Sequence, residues 1–102
     1  MSVIVVFSTF PSEDKAADIA RTLVSEGHAA CANLVPAVRS IYRWQNELCD
    51  ERETLAILKT TRERFDALKA RLVALHPYEV PEVIALPVDG GHAPYLAWVA
   101  GD

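Results

Sequence analysis

The residues able to do chemistry crowd into one short segment. His76-Pro77-Tyr78-Glu79-Val80-Pro81-Glu82 sets an imidazole, a phenol and two carboxylates on a stretch stiffened by two prolines. One reading is a preorganised corner that binds a cation or a small polar ligand. The other is a rigid helix-to-strand connector whose acids are simply solvated. Cys31 lies in the small apolar run Ala29-Ala30-Cys31-Ala32, where a thiol is either an inert buried side chain or a soft metal ligand. His28 is three residues away, but strand alternation puts the two on opposite faces. Glu53 and Lys59 share the alternate face of Leu55 and Ile57, either as a half-buried Lys–Glu site or as a solvated edge. His92, in a glycine-rich loop, reads as an exposed histidine. No clustered Cys/His spacing of the structural-zinc kind is present. Neither is a phosphate-cradling glycine loop, a G-x-S-x-G elbow or a metal-hydrolase helix.

Six main elements must position these groups. Val3 to Thr9 is a continuous, β-branched apolar run, the pattern of a buried central strand. Phe10-Pro11-Ser12 breaks it, with Ser12 as helix N-cap and Glu13 and Asp14 favouring the positive helix end. Ala16, Ile19, Ala20, Leu23 and Val24 repeat at helical spacing until Gly27 ends the helix in a left-handed conformation. Two long extended stretches follow, Ala29 to about Trp44 and Glu47 to Thr60, joined by a tight turn at Gln45-Asn46. Val38, Ser40, Tyr42 and Trp44 share one face of the hairpin; Arg39, Ile41 and Arg43 share the other. Thr60 with Glu63 has the form of a capping box. Phe65, Leu68, Leu72 and Leu75 stripe a second helix that His76-Pro77 ends. Val83 to Val88 is a fourth strand, and Ala93 to Ala100 a short closing helix carrying Tyr95, Leu96, Trp98 and Val99. The order β-α-β-β-α-β plus a tail helix predicts an α+β, ferredoxin-like sandwich over residues 1–102, one domain with a long central β-hairpin and a C-terminal helix.

Composition bounds the partners. The chain has 102 residues, a formal net charge of −4, 51% apolar residues and 24% charged residues. That length suits one domain, and two would each be too small to bury a stable core. A mildly acidic balance without a Lys/Arg block argues against nucleic acid and anionic membrane as main partners. No apolar run approaches the ~18–20 residues that span a bilayer. The apolar N-terminus lacks a basic region and a small-residue cleavage site, so it reads as a strand rather than a signal peptide. Two cysteines make no disulfide framework, and a reducing cytoplasm is the expected setting.

The hairpin is longer than such a domain needs. Sixteen extended residues from Ala29 to Trp44 reach roughly 50 Å at ~3.3 Å per residue, against a radius of gyration near ~13 Å for a 100-residue domain. It must bend, overhang the body, or both. Pro36 is the expected bend or bulge, because it cannot donate to a ladder. The overhang carries Tyr42 and Trp44, which a monomer leaves wet on a two-stranded ribbon; burial against other subunits is the expected remedy. A turn at Gln45-Asn46 also keeps Cys31 and Cys49 about 35 Å apart along the ladder, far beyond the ~7 Å Cα separation a disulfide tolerates.

Together these pieces resemble the CutA family of divalent-cation tolerance proteins. The resemblance is carried by Cys31-Ala32-Asn33-Leu34 with Pro36, by Ser40-Ile41-Tyr42-Arg43-Trp44, and by Leu55-Ala56-Ile57-Leu58-Lys59-Thr60. The run from His76 to Pro87 is the most specific, and Tyr95-Leu96-Ala97-Trp98-Val99 closes the match. The resemblance implies a tight homotrimer similar in architecture to PII signalling proteins, and a link to tolerance of copper and other divalent metals. By motif position, Cys31, Lys59, His76, Tyr78 and Glu79 match the family's inter-subunit cleft, and Tyr42 and Trp44 its hairpin contact. Asn46 stands where the family commonly has glycine, and Cys49 lies outside the pattern.

The resulting expectation is a non-enzymatic, cytoplasmic homotrimer that weakly binds copper or another divalent cation and takes part in the metal response. Cys31, His76 and Glu79 are the expected metal ligands, with Cys31 suited to Cu(I) and the other two to Cu(II) or harder ions. Lys59, Tyr78, Glu53 and Glu82 are expected in the inter-subunit cleft, and Tyr42, Trp44 and Trp98 in the trimer interface. The alternative is a PII-like trimeric signalling protein that binds a small ligand at the cleft through Lys59 or Arg39. An acylphosphatase-type enzyme shares the strand order, but its phosphate loop would fall at Thr9-Phe10-Pro11-Ser12, which has neither arginine nor glycine.

Overall fold

The computed structural model describes residues 2–101. Strand β1 (Val3–Phe10) leads through helix α1 (Glu13–Ser25) into the hairpin β2 (Cys31–Trp44) and β3 (Glu47–Thr61). Helix α2 (Arg62–Leu75), strand β4 (Ile84–Pro87) and helix α3 (Ala93–Ala100) complete the chain. One four-stranded antiparallel sheet has the order β2-β3-β1-β4, the ferredoxin-like arrangement that the element order predicts.

Alternation along the strands gives the sheet two faces of different character. One face sends Ile4, Val6, Ala56 and Leu58 against Ile19 and Leu23 of α1 and Leu68 and Leu72 of α2, all essentially buried. The other face is built of cross-strand rows: Leu86, Val5, Lys59 and Cys31; then Ile84, Phe7, Ile57 and Asn33; then Thr9, Leu55 and Val35. Every residue of these rows is half-buried or exposed, so a largely apolar sheet face is left without a full cover.

The local signals explain the element ends. The Ser12 hydroxyl accepts from the Lys15 amide at 3.1 Å, capping α1, and Gly27 follows its C-terminus at φ +81°. His76 ends α2 in an extended conformation, as the residue before Pro77 must. The start of α2 corrects the sequence expectation. Its N-cap is Thr61, with no side-chain cap bond, while Thr60 remains in the strand, buried, donating its hydroxyl to the His28 carbonyl at 2.6 Å. Arg64 donates to the Val99 and Ala100 carbonyls at 3.2 and 3.1 Å, satisfying the open C-terminal end of α3.

The hairpin both bends and overhangs. Gln45 and Asn46 have φ of +49° and +67°, as a two-residue type I′ turn requires, and Trp44 pairs with Glu47. The ladder shifts by one residue between Val35 and Val38, at Pro36, with Ala37 forced to φ +60°. Cys31 therefore faces Lys59, one place from the unbulged register. The long axis of the molecule is 45 Å against 25 and 21 Å for the others, and the outer half of the hairpin, residues 39–48, is exposed apart from half-buried Ser40.

Candidate functional site

The site sits where the hairpin leaves the body of the sheet. Past the bulge, Val38, Ser40, Tyr42 and Trp44 continue on the uncovered face, opposite Glu53, Glu51, Cys49 and Glu47. The α2–β4 connection crosses in front of them. Between hairpin and connection lies a concavity of about 520 Å³ lined by Thr9, Ser40, Ile41, Tyr42, Trp44, Glu53, Tyr78, Glu79, Val80 and Glu82.

His76 pins the connection to the sheet. It is buried, its ring stacks on Phe10 at 4.6 Å, and its Nε2 lies 2.8 Å from the Thr9 carbonyl. Its Nδ1 receives the Tyr78 amide at 3.1 Å. A carbonyl only accepts and an amide only donates, so Nε2 carries the proton and Nδ1 the lone pair. Burial is the main influence on this imidazole and pushes its pKa below the usual histidine value, against the opposing pull of the Thr9 carbonyl and of Glu53. Both nitrogens are committed, so His76 acts as a rivet for the loop and has no lone pair free for a metal. The expectation that it is a ligand is corrected on this ground.

From that rivet Tyr78 reaches Glu53. Its hydroxyl donates to Glu53 Oε2 at 2.6 Å, and its ring leans on His76 at 4.8 Å. Burial first, and the Glu53 carboxylate second, raise the Tyr78 pKa far above the usual phenol range, so it stays a neutral donor. Glu53 is only 8% exposed, and no cationic side chain pairs with it among the described residues. Glu82 has its pKa raised by desolvation and then by the Glu53 charge. Farther out, Tyr42 donates to Glu51 at 2.9 Å, and that bond pushes its pKa to about 12. The wall of the concavity thus holds carboxylates and aromatic rings, with no cationic residue in its lining.

Within the chain, Tyr78, Glu53, Glu79 and Glu82 line this one concavity, and Lys59 stands apart from it. It lies six residues from Glu53 along β3, about 20 Å by strand rise. There its Nζ donates to the Tyr95 hydroxyl at 3.2 Å, the main cause of its raised pKa. Cys31 is beside it, with Sγ 3.9 Å from the Tyr95 hydroxyl. Half-buried on the uncovered face, Cys31 is neither an inert core thiol nor near Glu79. Within one chain the three expected ligands do not converge, and among the described residues no three His, Cys, Asp or Glu side chains group as a metal site. Cys49 is a free thiol near the hairpin tip. Tyr42, Trp44 and Trp98 are exposed large aromatics. Arg39 is held bidentately by Asp50 at 2.9 and 2.7 Å.

Sequence reasoning missed the parts played by Thr9, Ser40 and Tyr95. Thr9 contributes a backbone carbonyl, which no side-chain pattern advertises. Ser40 is legible only as a face-mate of Tyr42. The sequence places Tyr95 on the tail helix, but its bond to Lys59 depends on how α3 docks.

The CutA1 divalent ion tolerance family matches residues 4–102. The divalent-cation tolerance protein CutA of Thermus thermophilus is 52% identical over 95 residues, covering 93% of this chain and 92% of that protein. The human protein CutA is 46% identical over 98 residues, 96% of this chain but 55% of the human protein, so this chain spans about half of that relative's length. Among solved structures, that of the divalent cation tolerance protein from Thermus thermophilus superposes with a TM-score of 0.94 at 49% identity, over 97% of this chain and 96% of that one. With a match spanning nearly its whole length, a shared fold and relatives near half identity, the chain belongs to the CutA1 divalent ion tolerance family.

Proposed function

We propose that the protein is a non-enzymatic, cytoplasmic homotrimer that weakly binds copper or another divalent cation at the cleft between hairpin and loop, and acts in metal tolerance. The observation that carries this reading is Glu53: a carboxylate almost wholly out of water, with no cationic partner among the described residues, at the base of a concavity that also holds Glu79 and Glu82. A buried charge needs a countercharge, and a bound cation supplies it. A cation there also offsets the Glu53 charge that helps to raise the pKa of Glu82, after desolvation. For a given set of oxygen donors, affinity among first-row divalent ions peaks at Cu²⁺, so copper is the most sensitive probe. Neighbouring copies supply the remaining ligands, and Cys31 provides a separate soft position for Cu(I).

The uncovered sheet face and the hairpin support association. Ile84, Leu86, Val35, Tyr42, Trp44 and Trp98 are all exposed, and contiguous apolar surface of this kind marks an association face. Titration calorimetry with Cu(II), and with Cu(I) under reductant, tests the cation reading. Glu53→Gln weakens Cu(II) binding by about tenfold or more, and Cys31→Ser affects Cu(I) alone. No heat above the buffer control in either redox state overturns it.

A second reading, a PII-like trimer that binds a small anionic ligand, rests on Lys59. This half-buried ammonium has Tyr95 and no carboxylate partner among the described residues. An anion that binds there raises the melting temperature in a screen of nucleotides and organic acids, and Lys59→Met abolishes the rise.

A further inference from the structure

We propose that Tyr78 decides which divalent ions the cleft accepts. By donating its hydroxyl to one oxygen of Glu53, it leaves that carboxylate a one-oxygen ligand and turns the site against large ions such as Ca²⁺. The proposal rests on reading the cleft as a divalent-cation site, and deepens it by naming the residue that discriminates among cations. In that reading neighbouring copies cover Tyr42 and Trp44 and complete the ligand set. The discrimination needs only Glu53, Tyr78 and His76, which a single chain holds together.

Two observations carry it. First, the two oxygens of the buried Glu53 carboxylate are not equivalent. Oε2 accepts the Tyr78 hydroxyl at 2.6 Å, the length of a charge-assisted O–H···O⁻ bond. Among the described residues, Oε1 has neither a hydrogen-bond donor nor a cationic partner. A donated proton draws electron density from the oxygen that accepts it, so Oε1 is the better ligand. An ion that takes both oxygens must give up or weaken the Tyr78 bond.

Second, the donor is held in place. The Tyr78 amide donates to His76 Nδ1 at 3.1 Å, and its ring leans on the His76 ring at 4.8 Å. His76 is in turn stacked on Phe10 and bonded to the Thr9 carbonyl. Burial first, and the Glu53 charge second, keep the phenol protonated, so the donor is present throughout the neutral range. An incoming ion therefore meets Glu53 as Tyr78 presents it, the usual work of a group behind a metal ligand.

Ions differ in what they ask of a carboxylate. Ca²⁺ gathers six to eight oxygens and often takes both oxygens of one carboxylate. Cu(II) asks for a tetragonal set of nitrogen and oxygen donors, which one oxygen from each carboxylate can serve. Tyr78 thus penalises Ca²⁺ more than Cu(II).

The test is calorimetry with Cu(II) and with Ca²⁺, separately and in competition, on the assembled protein and on Tyr78→Phe, which keeps the ring and removes only the hydroxyl. The unaltered protein is expected to prefer Cu(II). Tyr78→Phe is expected to bind Cu(II) about tenfold more weakly, as loss of a group behind a metal ligand does, while Ca²⁺ binding holds or tightens. The ratio of the two dissociation constants then moves toward Ca²⁺ by about tenfold or more. A merely structural role weakens both ions alike and leaves that ratio unmoved. Glu53→Asp, which draws the carboxylate back from the hydroxyl and keeps its charge, is expected to move the ratio the same way and repeats the test should Tyr78→Phe fail to fold. Equal changes for the two ions, or a ratio that moves toward Cu(II), overturn the proposal while leaving the divalent-cation reading intact. Absence of Cu(II) binding to the unaltered protein overturns the two together.

Discussion

His76 illustrates what a residue's identity conveys and what its surroundings decide. Its place before Pro77 makes it a helix stop, and its chemistry makes it a ligand candidate; the Thr9 carbonyl and the Tyr78 amide assign it the first role only. The consequence is a pH dependence. Burial lowers its folded-state pKa below the ordinary 6.5, so the unfolded chain binds more protons as pH falls through that range. Its contribution to stability is complete above about 6.5 and is lost as pH drops through the lowered value. Denaturant unfolding from pH 8 to pH 5 is expected to show this loss, and His76→Gln to flatten it; an unchanged slope in the variant would rule the assignment out. Ser8 makes a second case. Its hydroxyl is buried in the core with no hydrogen-bond partner among the described residues, an uncompensated desolvation. Ser8→Ala is expected to stabilise by about 1 kcal/mol, read as a higher denaturant midpoint at fixed protein concentration. The acidic loop was legible because types and spacing announce it. The split between Lys59 and Glu53 was readable but passed over: alternation puts both on one face, yet six residues along one strand hold them about 20 Å apart by strand rise alone.

At the scale of elements, the overlong hairpin was readable from arithmetic, and Pro36 from its missing donor. The bulge beside it leaves a trace that can be measured. Ala37 sits at φ +60°, a conformation that costs an L residue roughly 1 kcal/mol and glycine almost nothing. Ala37→Gly should therefore stabilise by about 0.5 kcal/mol after its greater unfolded-state entropy is subtracted, and Ala37→Val should destabilise. A loss of stability in Ala37→Gly would contradict the backbone assignment. The start of α2 was misread by one residue because Thr60 and Thr61 both suit an N-cap. Only the buried partner, the His28 carbonyl, decides that Thr60 completes the strand. Thr60→Val leaves that carbonyl unpaired and is expected to cost about 1–3 kcal/mol in the same unfolding measurement.

For the whole molecule, the slight apolar excess of the composition now has a location. The core accounts for Ile4, Val6, Leu58 and their helix partners; much of the remainder, including Val35, Ile84, Leu86, Ile41 and Leu48, lies on the uncovered sheet face and the hairpin. A charge placed there tests the proposed trimer without touching the core: Leu86→Asp is expected to sediment as a folded species of 11.2 kDa and the proposed trimer at about three times that mass, and equal sedimentation of the two would contradict it. The overhang was legible from strand length, whereas the face it leaves uncovered required the register. One measurement reaches the cleft most directly: anomalous diffraction at the copper edge from crystals of the assembled protein soaked in Cu(II). The expected result is a peak between hairpin and loop, within bonding distance of Glu53 or Glu82 and completed by a neighbouring copy. Crystals that show no copper in that cleft, or copper only at Cys31, would contradict it.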